Sequence, residues 1–153
     1  MKRLALYILI LSGLAYAPVE RADVGKLAPV EAVLLDSDGT SVMLSTDMGE
    51  YGKGGSVDES LENMKECSKA YVYLDTARYL LVTDSATHHI KDITKHLKQS
   101  VKVCIAPFDT DLKAAAKYLR THSGQPTLRQ WKKGAAVPAE EALKNFKKSQ
   151  NNA

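Results

Sequence analysis

Residues 54–86 read GGSVDESLENMKECSKAYVYLDTARYLLVTDSA, and this stretch decides the fold. Ser56-x-x-Glu59 is a capping-box pattern, in which the serine hydroxyl and the glutamate carboxylate satisfy amide donors that a helix start leaves unpaired. Asp58 and Glu59 fall in the first turn, where carboxylates suit the helix dipole. Val57, Leu61, Met64 and Cys67 or Ser68 recur at helical spacing and give the helix one apolar stripe. The short, aromatic, β-branched run Ala70-Tyr-Val-Tyr-Leu74 predicts a buried strand. Tyr79-Leu-Leu-Val82 is continuously apolar, the mark of a strand covered on both faces. Two such strands beside one amphipathic helix need further helices to shield them.

The chain on either side supplies the rest of a sheet. Val30–Leu35 and Ser41–Thr46 flank Asp36-Ser-Asp-Gly-Thr40, and Asp38-Gly39 provides the positive φ of a tight hairpin. Met48–Gly55 holds four glycines and reads as a mobile loop. It lacks the G-x-x-x-x-G-K-[ST] spacing that cradles phosphates, which argues against nucleotide binding. Asp84 or Ser85 is positioned to cap a helix reaching about Lys98, with Ala86, Ile90, Ile93 and Leu97 inward. Val101–Ala106 is a further strand, closed by Pro107. Asp109 or Thr110 then caps a helix through Leu119, with Leu112, Ala115, Ala116 and Leu119 inward, stopped at Ser123-Gly-Gln-Pro126. Thr127–Trp131 suits a single turn, and Ala139–Lys148 a last amphipathic helix. The expected fold is α+β: a small mixed sheet of the hairpin and three further short strands, covered by two or three helices. Its core should contain Leu61, Met64, Leu74, Leu80, Val82, Ile90, Ile93 and Leu97.

The N-terminus carries a sorting signal. Lys2-Arg3 precedes the almost wholly apolar Leu4–Leu14, and small residues follow, as in a secretory signal. Cleavage after Ala17 fits an A-x-A site but leaves Pro18 after the cut, where its tertiary amide hinders hydrolysis. Cleavage after Ala15 avoids this, and an uncleaved anchor is the alternative. Residues 1–17 are thus a signal peptide or N-terminal anchor, 18–27 a tether, 28–131 one α+β domain, and 132–153 a basic tail. The location expected is extracytoplasmic, either secreted or on the outer face of the cytoplasmic membrane. Of 153 residues, 44% are hydrophobic and 25% charged, ordinary for one folded domain. Without Lys2 and Arg3 the charge is 19 basic against 18 acidic residues, so the near-neutral body does not call for nucleic acid.

Three side-chain groups are candidates for chemistry. His88, Asp92 and His96 follow one another at intervals of four, on a helix face opposite Ile90, Ile93 and Leu97. Adjacent members would suit a metal, but the set spans two turns, about 12 Å along the axis. The set is therefore read as a solvated helix face, with His89 alongside. Cys67 and Cys104 are the only cysteines, expected as two buried free thiols in a domain with core enough to need no staple. No histidine is set beside either, and no G-x-S-x-G elbow exists for a serine mechanism. The tail, with Arg129, Lys132, Lys133, Lys144, Lys147 and Lys148, suits weak contact with anionic lipid or wall polymer, or plain solvation. No catalytic, cofactor-binding or metal-binding residue is assigned.

Arg21-Ala-Asp-Val-Gly-Lys-Leu27 before a strand, Gly55-Ser-Val-Asp-Glu-Ser-Leu-Glu-Asn-Met64, and Val72-Tyr-Leu-Asp-Thr-Ala-Arg-Tyr-Leu-Leu-Val82 together resemble the N-terminal domain of the Ger(x)C family. These are the C subunits of spore germinant receptors, anchored on the outer side of the spore inner membrane. Asp75 and Arg78 stand near the histidine and lysine of the family's strand-pair pattern. The family's lipidated cysteine has no counterpart, since Leu14 follows Leu11-Ser12-Gly13. The resemblance covers about residues 21–106 and implies a non-catalytic interaction or assembly module with a protein partner at the cell or spore membrane, linked to sporulation or germination. An extracytoplasmic metal-dependent or hydrolytic enzyme using the His88/Asp92/His96 face is the alternative.

Overall fold

A computed structural model describes residues 27–69, 71–122 and 124–133. The signal segment, nearly all of the tether, and the helix expected at Ala139–Lys148 lie outside the described residues. Among the described residues no helix is long and apolar enough to cross a membrane.

The fold is α+β around a five-stranded mixed sheet. After the short β1 (Leu27–Pro29) come β2 (Ala32–Ser37), β3 (Val42–Thr46) and β4 (Tyr51–Gly54), an antiparallel meander. Helix α1 (Val57–Cys67), β5 (Tyr71–Tyr73) and a 3₁₀ turn (Leu74–Thr76) lead into β6 (Tyr79–Val82). A second 3₁₀ segment (Asp84–His89) runs into the single α-turn α2 (Ile90–Ile93), then β7 (Lys102–Ile105), α3 (Leu112–Thr121) and α4 (Leu128–Lys132). The sheet order is β4-β3-β2-β6-β7, with β6 parallel to both neighbours. All four residues of β6 are buried, as its unbroken apolar run required. One sheet face packs Val33, Leu35, Leu80 and Val82 against Leu61 and Met64 of α1, Ile90 and Ile93 of α2, and Leu128 of α4. The other packs Leu34, Leu81 and Cys104 against Leu112, Ala115, Ala116 and Leu119 of α3. Of the expected core only Leu74 is partly rather than fully buried.

The glycine-rich loop is a strand. Asp47-Met-Gly49 turns the chain with Gly49 at φ 86°, and β4 pairs with β3 from Ser45↔Tyr51 to Val42↔Gly54. Its glycines serve close packing: a Cβ on Gly52 would lie 2.1 Å from Ser60 O, and one on Gly54 2.8 Å from Glu59 Cβ. Glycine here lets a helix backbone rest on a strand backbone. The first hairpin turn is as read, with Gly39 at φ 88°. Asp38 Oδ1 accepts from the Ser41 and Thr40 amides at 2.7 and 2.9 Å.

Helix ends divide. Ser56 Oγ accepts from the Glu59 amide at 3.2 Å, and the Glu59 carboxylate accepts from the Gly55 amide at 2.7 Å, so the box closes one residue earlier than its ideal form. Asp111, not Asp109 or Thr110, caps α3, accepting from the Lys113 and Ala114 amides. Thr110 instead closes a turn onto Pro107 O at 2.6 Å. The helix expected from Asp84 to Lys98 is mostly 3₁₀ and turn, although Ala86, Ile90, Ile93 and Leu97 are buried as expected. Thr83 at its start makes no side-chain cap bond, and Thr87-His-His89 and Thr94 are weak helix formers.

The 70–74 run is not a buried strand of the main sheet. β5 pairs in parallel with β1 as a separate two-stranded ribbon, and Tyr71 and Tyr73 are exposed while Val72 is buried. Ribbon and sheet are one long parallel pair, interrupted. The partner offset is 44 residues at Leu27↔Tyr71 and 47 at Ala32↔Tyr79. The three extra residues are those of the 3₁₀ turn, Leu74-Asp-Thr76. Within the gap the Thr76 hydroxyl donates to Val30 O at 2.9 Å, supplying a bond the ladder loses.

Candidate functional site

Where the parallel pair is interrupted, the strands part and leave a cleft. Pro29, Val30 and Glu31 form one wall, Thr76 and Arg78 the other, and Arg120 reaches over from α3; its volume is about 440 Å³. A second depression of about 250 Å³ adjoins it, lined by Ala77, Arg78, Tyr79, Ser100 and Lys102. Arg78 belongs to both. The cleft lies at the amino ends of β2, β6 and β7, opposite the carboxyl ends where open α/β sheets usually take ligands. The carboxyl ends of β2 and β6 are tied instead by Thr83 Oγ1 donating to Asp36 Oδ1 at 2.6 Å.

The backbone around Arg78 is fixed from both sides. Its amide donates to Glu31 O at 2.8 Å, and its carbonyl accepts from the Lys102 amide at 2.9 Å. Glu31 and Arg78 thus stand just before β2 and β6, and Lys102 opens β7 in register with Tyr79, at the entries of three adjacent parallel strands. Arg120 binds both oxygens of Glu31, through Nε to Oε1 at 2.7 Å and through its terminal nitrogen to Oε2. That hydrogen bond, ahead of the guanidinium charge, holds the Glu31 carboxyl below its ordinary value and raises Arg120. Burial first, and the Glu31 charge second, push the Tyr79 phenol up, so it stays protonated. Lys102 Nζ lies 6.0 Å from the centre of the Tyr79 ring.

Beyond Pro29 the ribbon continues this surface. Tyr71 and Tyr73 share the outer side of β5 by the two-residue period of a strand. Tyr71 is 65% exposed and Tyr73 39%, large apolar area for side chains that usually sink into a core.

The histidine face is dispersed. His96 Nε2 bonds Asp58 of α1 at 2.6 Å, His89 lies 3.9 Å from Asp92, and Lys95 lies 3.6 Å from the same carboxylate. His88 is exposed, its ring 4.0 Å from that of His89. The cause is the break from 3₁₀ to α geometry between residues 89 and 90. Three residues per turn rotate His88 away from where an unbroken α-helix would hold it over Asp92. No group of three or more potential ligands stands together among the described residues. Cys104 is buried and Cys67 is exposed rather than buried, and both are free thiols. Burial pushes the Cys104 thiol up to about 12. From Gly134 onward the basic tail lies outside the described residues.

The sequence reading passed over Glu31, Lys102 and Arg120, and gave Arg78 no part in a site. A signal was present: Glu31 and Arg78 each precede an apolar run directly, and Lys102 opens another. Comparison with family models, with curated proteins and with solved structures finds no match for this chain.

Proposed function

We propose that this protein is an exported, non-catalytic interaction or assembly module working at the outer face of a cell or spore membrane. The observation that carries the reading is the ribbon of β1 and β5, which stands outside the main sheet and presents Tyr71 and Tyr73 to solvent. Tyrosines pair a large apolar ring with a polar tip at low entropic cost, and they anchor protein interfaces for that reason. The signal pattern of Lys2-Arg3 and Leu4–Leu14 supports the outer location. The Ger(x)C-like pattern over residues 21–106 supports a link to sporulation or germination in a spore-forming bacterium. The partner in this reading is a membrane protein rather than a nucleic acid, with the basic tail adding weak contact to anionic lipid or wall polymer. Within the Gly49–Gly55 segment, Tyr51–Gly54 is paired into the sheet as β4 and is not a free loop. The enzymatic alternative on His88, Asp92 and His96 draws no support from their placement.

The test uses the full-length protein, tagged and cross-linked in its host. A membrane protein captured by the native chain should be lost when Tyr71 and Tyr73 are both replaced by serine. It should be retained when His88, Asp92 and His96 are all replaced by alanine. The opposite pattern would overturn the reading.

A further inference from the structure

We propose that the depression adjoining the cleft, where Arg78 and Lys102 both line the wall, is a binding site for a small oxyanion, a carboxylate or phosphate group, read by those two side chains. This goes beyond the membrane-partner reading and stands independently of it.

The charge balance of the cleft is the starting point. Across the cleft and the adjoining depression together, Glu31 is the one carboxylate among the lining residues, against three cations, Arg78, Lys102 and Arg120, and the depression itself holds Arg78 and Lys102 with no carboxylate. Arg120 engages both Glu31 oxygens, and the Arg78 charge acts on that carboxylate only as a lesser, through-space cause of its lowered value. Arg78 and Lys102 are left with no carboxylate within ion-pair distance among the described residues. A folded chain ordinarily disperses or pairs like charges, and two unpaired cations meeting in one concavity concentrate positive potential there.

Geometry makes that potential specific. The Arg78 backbone is held between Glu31 and Lys102 by bonds of 2.8 and 2.9 Å, so the base of its side chain does not move to meet a ligand. Its planar guanidinium offers two parallel N–H groups, matching a carboxylate edge or two phosphate oxygens. Lys102 contributes a point charge whose ammonium group is already steered by the Tyr79 ring. The Ser100 hydroxyl lines the same depression and can donate a further neutral bond. The volumes, about 440 and 250 Å³, suit a small molecule or its charged end. The site also has an origin in the chain: the three-residue insertion Leu74-Asp-Thr76 lies at the gap between strands, and Arg78 follows after the single residue Ala77.

The experiment is a titration of the isotopically labelled full-length protein with sodium phosphate and, separately, sodium acetate, against sodium chloride at matched ionic strength. The expected result is a saturable shift of the Glu31, Arg78, Ser100 and Lys102 amides with at least one of the two oxyanions; which one responds identifies the group recognised. Arg78→Gln and Lys102→Gln should each weaken binding about tenfold, the loss of one charge-assisted bond. Lys91→Gln, removing an exposed cation elsewhere, should leave it unchanged. The native spectrum of each variant verifies its fold. Shifts that grow linearly with salt on all basic residues alike, or that survive Arg78→Gln, would overturn the proposal.

Discussion

Replacing Gly52 by alanine separates two accounts of the 48–55 segment by the size of the effect. In a mobile loop the change would restrict the folded and unfolded chains alike, and stability would stay within about 0.5 kcal/mol. In the structure the new Cβ would meet Ser60 O at 2.1 Å and Met64 N and Cβ at 2.7 Å. Ordinary contact begins at 3.4 Å, so α1 must retreat by the difference, about 1.3 Å. Backbone atoms of a helix cannot rotate aside, so the whole helix moves. It carries Val57, Leu61 and Met64, each at most 3% exposed, away from the sheet. It also strains the bond from the Ser60 hydroxyl to Val42 O, now 2.8 Å. Overpacking costs about 1–3 kcal/mol and occasionally more, and two backbone obstacles place this case at the upper end. With the unfolded-state gain subtracted, the net loss is about 2 kcal/mol, or about 10 °C in melting temperature for a domain this size. Urea denaturation followed by circular dichroism measures it. Gly55→Ala is the control, because its Cβ would meet only the flexible end of Glu59, at 3.3 Å; its effect should stay within about 0.5 kcal/mol. A Gly52→Ala protein as stable as the native one, or more so, would refute the packing of α1 on β4.

Further outcomes follow from the same structure. Leu80→Ala, in the strand buried on both faces and flanked by β2 and β7, should cost about 2–5 kcal/mol by urea titration. The native protein should react with one equivalent of a thiol reagent at neutral pH, through exposed Cys67, and with two once unfolded, because burial keeps Cys104 protonated. Stability should fall as pH drops below about 4. Asp38 is held below its ordinary 3.8 by the Ser41 hydroxyl and then the Thr40 and Ser41 amides. A depressed carboxyl contributes stability above its unfolded value and loses it as pH falls through the folded one. Asp38→Asn should therefore flatten part of the acid limb of the urea midpoint, measured from pH 7 to pH 2.

Local chemistry made much of this fold legible. The Ser56–Glu59 box, the Asp38-Gly39 turn, the double-sided apolar run of β6 and the inward stripe of α3 are all properties of neighbouring residues, and a chain read in one dimension carries them. The α+β class and nearly all of the core came from that level. What the chain could not disclose depends on residues far apart in sequence. Gly52 and Gly54 signal flexibility by themselves, and only the arrival of Ser60 and Met64 shows that they make room for a helix. Tyr71 and Tyr73 have the composition of a buried strand. They are exposed in a separate ribbon with β1, whose register differs by three residues from that of β2 with β6, a relation that exists only once the strands pair. His88, Asp92 and His96 keep the spacing of a helix face, but the chain around them does not sustain α geometry, and His96 finds Asp58 of α1 instead. The cleft is the plainest case. Glu31, Arg78, Lys102 and Arg120 are single charges at four separate places in the sequence, and parallel pairing of strand entries, with α3 laid across them, assembles them into one surface.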